Sequence, residues 1–322
     1  MSETFIQLSE ELGEATRRFH IRREWGRTTK PGDWSVYWRD TDGFGQVLPR
    51  PAAEEVAAFY ETENYYTHIS YQESASNLPK RSSTYWRALQ HLAWRFDNSV
   101  EADLGWWTKT LGSGSLSCLE IGCGNGNTLA LLRGLGHQVV GVEPDPHARE
   151  TSRAEGITVY SGTAEKLPRG LMAESFDVII MIHVLEHCID PVLALVNASK
   201  LLKPNGKLIV DVPNNACLGA SIFGASWAWL DVPRHLNFFT PKSLEAILMA
   251  SGYTIQLVEF WGYNRQFSSH WAAMQNEVSA EMGDPRGRQS WRYIALLAST
   301  ILAPPERKYD SVRVVAGHAG AI

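Results

Sequence analysis

Three glycines in alternate positions carry the first chemical signal. Glu120, Ile121, Gly122, Cys123, Gly124, Asn125 and Gly126 run from an apolar strand into a helical segment. Glycines at such a turn admit backbone angles that other residues resist, and they let a ligand approach the main chain. Glu143 closes the next strand, at the separation of about 20 residues at which a carboxylate can meet a ribose diol. A dinucleotide fingerprint asks for a third small residue where this chain has Asn127. Glu120, inside the strand, would repel a pyrophosphate but suits a ligand with an ammonium group. The loop argues against NAD and for a nucleoside with a cationic amino-acid arm, which is S-adenosylmethionine.

A second group of candidates follows later in the chain. His183 ends the apolar run Val178, Ile179, Ile180, Met181 and Ile182, and Glu186 and His187 follow it closely. Farther on stand Asp231, Val232, Pro233, Arg234, His235, Leu236 and Asn237, flanked by Trp227, Trp229, Phe238 and Phe239. Histidine titrates near neutral pH and can take a proton from an oxygen or amine nucleophile. His235 is read as that base and Arg234 as an anion or substrate contact; the alternative is that both pin their loop to the sheet. His183 is the rival base. Glu186 and His187 read as the start of a helix, where a carboxylate is favourable. The four flanking aromatics divide between pocket wall and core. Tyr65, Tyr66 and His68 read as surface residues, with a lid over the site as the alternative.

These residues need a scaffold, and the periodicity supplies one. From Leu116 onward short apolar runs alternate with helical segments, as in a parallel sheet with crossover helices. The strands fall at 117–121, 138–142, 157–160, 178–182 and 207–212, with helices at about 128–135, 146–155 and 191–202. Residues 178–182 are apolar throughout, as a central strand covered on both faces should be. Thr240 and Pro241 form an N-cap and first-turn proline for a helix ending near Gly252. Strands at 254–260 and 311–316 complete the pattern, with a mostly helical insertion at about 264–310 between them. That insertion offers a pocket wall or a homodimer face. Residues 1–115 lack this alternation and read as a mainly helical cap or lid, with helices at about 52–61 and 82–97 and a short strand at 34–38. Gly112, Ser113, Gly114 and Ser115 form a flexible joint to the domain at 116–322.

The loop Glu120 to Gly126 resembles motif I of the class I S-adenosylmethionine-dependent methyltransferases, in particular the bacterial small-molecule type. Val140 to Asp145 is similar to their second motif, Phe176 to Ile180 with Val184 to His187 to their fourth-strand region, and Leu201 to Leu208 to the turn before strand five. The resemblance covers about residues 116–260. It implies an α/β, Rossmann-like seven-stranded sheet with strands six and seven antiparallel. It also implies that Glu120 and the backbone of Gly122, Cys123, Gly124, Asn125 and Gly126 face the methionine portion, and that Glu143, beside Pro144, takes the ribose. Thr163, Ala164 and Glu165 would border the adenine, although many family members carry an acidic residue where Thr163 stands. Ile182 and His183 would lie close to the cofactor. The Pro233, Arg234, His235 and Leu236 stretch resembles one recurring in the small-molecule enzymes.

Composition narrows the function. The 322 residues are 44% hydrophobic and carry a net charge of −5, whereas a nucleic-acid binder shows a basic excess or stripe. Strand four also lacks the Asn/Asp-Pro-Pro-aromatic signature of exocyclic amino-group methylases. The apolar run at 294–303 is about half the length that spans a bilayer. The N-terminal residues have no apolar core of a signal peptide, and four cysteines without a C-x-x-C spacing support neither disulfides nor a zinc knuckle. The expectation is a cytoplasmic methyltransferase without a metal, acting on a small aromatic or hydrophobic acceptor, most readily at oxygen. Nitrogen or carbon methylation, or a cofactor-binding regulatory subunit, are the alternatives.

Overall fold

The computed structural model describes residues 15–23, 31–52, 55–56, 84–284 and 290–319. Its first elements are three strands, β1 (Thr16–Arg23), β2 (Pro31–Arg39) and β3 (Phe44–Leu48), paired antiparallel in sequence order. The described part of the N-terminal cap is therefore a β-meander where a mainly helical unit was expected. Alternation explains it. Ile21, Val36, Trp38 and Val47 are buried on one face, and β-branched and aromatic residues suit a pleated half-buried surface. The strand expected at 34–38 lies within β2. Most of the helix expected at 52–61, with Tyr65, Tyr66 and His68, lies outside the described residues.

Two helices follow, α1 (Thr84–Trp94) and α2 (Leu104–Leu111). Both lie within the residues read as the cap and pack against later parts of the chain. Trp106, Trp107 and Leu111 of α2 pack under the central sheet against Cys118, Val178 and Ile209. Leu89 and Ala93 of α1 pack with Phe223, Tyr263 and Tyr293. Asp103 caps α2 by accepting from the Trp106 N–H at 2.8 Å, satisfying one of the amides that a helix start leaves open.

The central sheet comprises β4 (Ser117–Ile121), β5 (Gln138–Glu143), β6 (Thr158–Ser161), β7 (Phe176–Ile182) and β8 (Leu202–Pro213). Helices α3 (Asn127–Gly134), α4 (Pro146–Ala154) and α5 (Pro191–Leu201) connect them. Proline at the first helical position and an aspartate cap, Asp145 or Asp190, start α4 and α5. Beyond β8 come α6 (Leu218–Phe223), β9 (Asn237–Phe238), α7 (Pro241–Ala250) and β10 (Tyr253–Trp261). The insertion holds α8 (Ser269–Glu281), α9 (Trp291–Thr300) and α10 (Pro305–Lys308) before β11 (Ser311–His318). The seven strands order as β10-β11-β8-β7-β4-β5-β6. β11 is antiparallel to both neighbours, and the pairs among β4 to β8 are parallel. The sixth and seventh strands of the expected fold are thus β10 and β11, as the sequence pattern implied.

Strand β9 ties the two sheets together. It pairs antiparallel with β3, Gly45 opposite Phe238 and Gln46 opposite Asn237. Asn237 is buried and donates to the carbonyls of Leu185 and Cys188 at 3.2 and 2.6 Å. Arg50 donates to the carbonyls of Leu236 and Ile189 and to Asn237 Oδ1. The meander therefore sits on the C-terminal edge of the central sheet, where open α/β folds bind ligands. Phe238 fills the core between the meander and the 230–232 segment. Truncating a buried phenylalanine costs about 3–5 kcal/mol. Phe238→Ala should lower the unfolding free energy by that amount, and a shift of less than 1 kcal/mol in urea denaturation would show that β9 does not anchor the cap.

Candidate active site

The glycine loop is built by close approach. Gly122, Gly124 and Gly126 have φ of 73°, 52° and 78°, the left-handed region that favours glycine. At Gly122 a Cβ would lie 2.5 Å from Val184 Cγ2, and at Gly126 one would lie 2.8 Å from Ser152 Oγ. The turn after β7 thus abuts the loop, which brings His183 and Val184 to its side. The N–H groups of Gly122 and Cys123 both donate to the Val142 carbonyl, fixing the loop to the end of β5.

Two carboxylates frame this cradle. Glu143 Oε2 accepts from the Gly124 N–H at 2.8 Å and Oε1 from the Asp145 N–H at 2.9 Å. A carboxylate has about four acceptor sites, so the orientation is locked while acceptor capacity remains for a diol. Glu120 is buried, and its Oε2 has no hydrogen-bond partner. Burial pushes its carboxyl up to about 8, against the Thr128 hydrogen bond, with the neighbouring Glu143 adding to the rise. A neutral carboxyl with an unused oxygen fits a site awaiting a cation. These features fit the ammonium and ribose of S-adenosylmethionine.

Other expected contacts divide. Cys123 turns its side chain into a core with Leu129, Ile157 and Val159, so its backbone alone can serve the loop. Pro144 offers its carbonyl to Arg149 at 2.6 Å. Thr163 Oγ1 accepts from the Lys166 N–H, and Ala164 is buried in the main core. Glu165 is only partly buried and turns one oxygen toward another turn. Its Oε1 accepts from the Ile189 N–H at 2.7 Å, so the carboxylate spans to the turn before α5.

The acceptor side gathers three histidines. His183 has φ of 53°, an uncommon conformation for a non-glycine residue, and its N–H donates to the Asp211 carbonyl. Its Nδ1–H donates to Glu186 Oε1 at 3.1 Å, leaving Nε2 as the basic nitrogen. The side chain is 18% exposed, whereas Glu186 is 1% exposed. Its ring stacks on Trp229 at 5.0 Å and lies 6.3 Å from Trp261. His235 is buried, with Nδ1–H donating to the Trp229 carbonyl at 2.8 Å and its ring 4.6 Å from that of His187. His187 donates Nδ1–H to the Arg234 carbonyl at 3.0 Å. Burial lowers the pKa of all three imidazoles, His187 to about 4, and raises that of Glu186.

Arg234 is the clear correction. It is 1% exposed and forks onto Asp231, with Nε 3.0 Å and Nη2 2.5 Å from Oδ1. That bidentate pair shapes the loop; the residue is a pin, not a substrate contact. Of the four aromatics beside it, Trp227, Phe238 and Phe239 are core and only Trp229 is partly open. Arg265, at the start of the insertion, lies over Trp261 at 4.2 Å and Trp229 at 4.9 Å, held by Asp310 at 2.7 Å. Asp211 accepts from Trp261 Nε1 and from Arg313. Trp261, Arg265, Asp211 and Asp310 went unread in the sequence because each sits in an ordinary strand or loop position. The one available signal was that Trp261 ends a strand whose neighbours converge on the ligand-binding edge.

Residues 80–258, over half of the chain, match the family profile described as a methyltransferase domain. The chain belongs to this family, that of the class I S-adenosylmethionine-dependent methyltransferase domain. It is similar to a ubiquinone biosynthesis O-methyltransferase of Azorhizobium caulinodans, 35% identical over 150 residues, covering 43% of this chain and 58% of that protein. The same-named protein of Cereibacter sphaeroides is 31% identical over 175 residues, covering 51% and 67% respectively. The chain thus spans 58% to 67% of the length of these curated relatives. A structure from Bacillus halodurans, described as a candidate methyltransferase, shares the fold at a TM-score of 0.50 with 15% identity, covering 68% of this chain and 99% of that one. Among the described residues no helix is long and apolar enough to cross a membrane.

Two outcomes follow for the cofactor side. Glu143→Ala should weaken S-adenosylmethionine binding at least tenfold, since two hydrogen bonds to a carboxylate are worth about 2–4 kcal/mol after solvent discount. Unchanged affinity in a folded variant would remove Glu143 from the ribose site. Glu120 is protonated below about 8 in the free protein and must ionise to hold an ammonium. Binding at pH 7 should therefore release a proton, and affinity should fall as pH drops below 8. Calorimetry in buffers of different ionisation enthalpy measures the release, which Glu120→Gln should abolish; equal release in that variant would place the proton elsewhere.

Proposed function

We propose that the protein is an O-methyltransferase for a small, flat, hydroxyl-bearing acceptor, with His183 as the proton acceptor. The observation that carries this reading is the His183–Glu186 pair beside the glycine loop, stacked on Trp229. S-adenosylmethionine supplies, when bound, an electrophilic methyl on a sulfonium. Glu120 would hold its ammonium, Glu143 its ribose hydroxyls, and the loop backbone from Gly122 to Gly126 would hold its methionine portion. Methyl transfer is an in-line displacement, so holding the acceptor oxygen in line supplies much of the rate.

An acceptor hydroxyl must also lose its proton. Glu186 fixes the His183 tautomer by accepting from Nδ1, and Nε2 then carries the lone pair that accepts the proton. The half-buried rings of Trp229 and Trp261 offer apolar faces to a flat acceptor. This role moves from His235 to His183, because His235 is 3% exposed and its ring is enclosed by Trp229 and His187. The names of the relatives in the ubiquinone biosynthesis group support oxygen as the acceptor atom. The acidic net charge favours a small molecule over a nucleic acid. We place the reaction in the cytoplasm, where the four buried thiols stay reduced.

The test is turnover of a panel of phenols, amines and carbon acids, read as S-adenosylhomocysteine formed. Phenols should be methylated, and His183→Ala should lower kcat by about 10²–10⁴ while cofactor affinity stays within a few-fold. Trp229→Ala should mainly raise KM. Methylation confined to amines or carbon acids, or full kcat in His183→Ala, would overturn the assignment. Cofactor binding without turnover of any acceptor would favour a regulatory subunit.

A further inference from the structure

Two histidines of this edge, His187 and His235, remain unexplained by methyl transfer, and they converge on Glu186. Glu186, His187 and His235 each present a ligand atom, and these atoms lie within 4.8 Å of one another. Glu186 and His187 come from the turn after β7, while His235 comes from the loop before β9, some fifty residues later in the chain. The backbone joins the two segments beside the cluster, with the Leu236 N–H donating to the Glu186 carbonyl at 2.7 Å.

The hydrogen bonds set the chemistry of the cluster. The Nδ1 atoms of His187 and His235 both face backbone carbonyls, of Arg234 and Trp229. A carbonyl can only accept, so each Nδ1 carries the hydrogen and each Nε2 the lone pair. An imidazole oriented by an Nδ1–H bond to a carbonyl is the arrangement that metal-ligating histidines use. Glu186 is 1% exposed, and while Oε1 accepts from His183, Oε2 is buried with no hydrogen-bond partner. Among the described residues Glu120 holds the one other buried carboxylate oxygen in that condition, and it faces the cofactor cradle. A buried carboxylate oxygen left unpaired costs free energy unless a cation or a proton answers it.

We propose that Glu186, His187 and His235 form a binding site for one first-row divalent transition ion, with Zn²⁺ as the fitting species. Two imidazoles and a carboxylate suit such ions better than Mg²⁺ or Ca²⁺, which prefer all-oxygen sets. Three protein ligands leave a tetrahedral ion one position short, open to water or an acceptor oxygen. The ion would clasp the β7 turn to the β9 loop, and so fix the segment on which His183 and Trp229 sit. The rival occupant is a proton on Glu186. This inference does not depend on the methyl acceptor, and its test needs no turnover.

The experiment uses the full chain, free of any histidine tag and stripped with chelator, titrated with Co²⁺ and followed by visible d–d absorption. One equivalent should bind, Zn²⁺ should displace it, and the wild-type Tm should rise in the presence of Zn²⁺. His187→Gln and His235→Gln should each weaken Co²⁺ binding at least about tenfold, with far-ultraviolet circular dichroism of the metal-free proteins unchanged. The Zn²⁺-dependent Tm rise of the wild-type protein serves where a variant fails to fold. Absence of stoichiometric Co²⁺ binding and of the Tm rise, or Co²⁺ binding that survives His235→Gln, would overturn the proposal and leave Glu186 protonated.

Discussion

The structure depends on the burial of five carboxylates along one edge of a sheet. Glu120, Glu143, Glu186, Asp211 and Asp310 are all buried near the C-terminal ends of the strands or the loops that follow them. Removing a carboxylate from water is costly, and each must be met by donors or become neutral. Asp211 and Asp310 are met by Arg313 and Arg265, with the indoles of Trp261 and Trp229 completing them. Glu143 is met by two backbone amides. Glu120 and Glu186 are each only half met. The pairs that are complete build walls, and the two that are incomplete are the ones a proton or a cation can answer.

This division explains why the N-terminal meander lies where it does. A site with half-satisfied carboxylates and neutral histidines functions only if bulk water is kept out, and the parallel sheet leaves its C-terminal edge open. The β3–β9 pairing, with Asn237 and Arg50 bonding to the carbonyls of the 185–189 turn, closes one side. The insertion closes the other, through Trp271 packed on Trp229 and Arg265 stacked on the indoles. Both coverings come from segments outside the alternating strand–helix core. The fold thus separates a cofactor half built by local turns from an acceptor half assembled from distant parts.

The same separation sets how the histidines behave. Burial lowers the pKa of His183, His187 and His235, which favours, over the charged form, the one that offers a lone pair. Which nitrogen carries it is decided by the partner of the other, a carboxylate for His183 and backbone carbonyls for the remaining two. The partner also separates their tasks. A carboxylate beneath His183 would stabilise the imidazolium of the proposed base, whereas a neutral carbonyl beneath His187 and His235 would orient the proposed metal ligands.

The sequence alone determined the glycine loop and the acids placed beside it. The glycines at 122, 124 and 126, the acids at 120 and 143 and the strand periodicity from 116 onward are local patterns, because a strand–turn–helix unit fixes its own backbone angles within a few residues. The seven-stranded sheet with its last two strands antiparallel followed from the family resemblance. What only the tertiary structure decided was the acceptor half. Arg234 reads as an anion contact until Asp231 is seen to take it. His235 reads as a base until Trp229 and His187 are seen to enclose it. That Glu165 also holds the Ile189 amide is seen only in the folded chain. Each of these is a choice between partners far apart in the chain, or between faces of a loop without periodicity. Burial and pairing depend on what the folded chain brings alongside, and residue type and spacing carry no record of it.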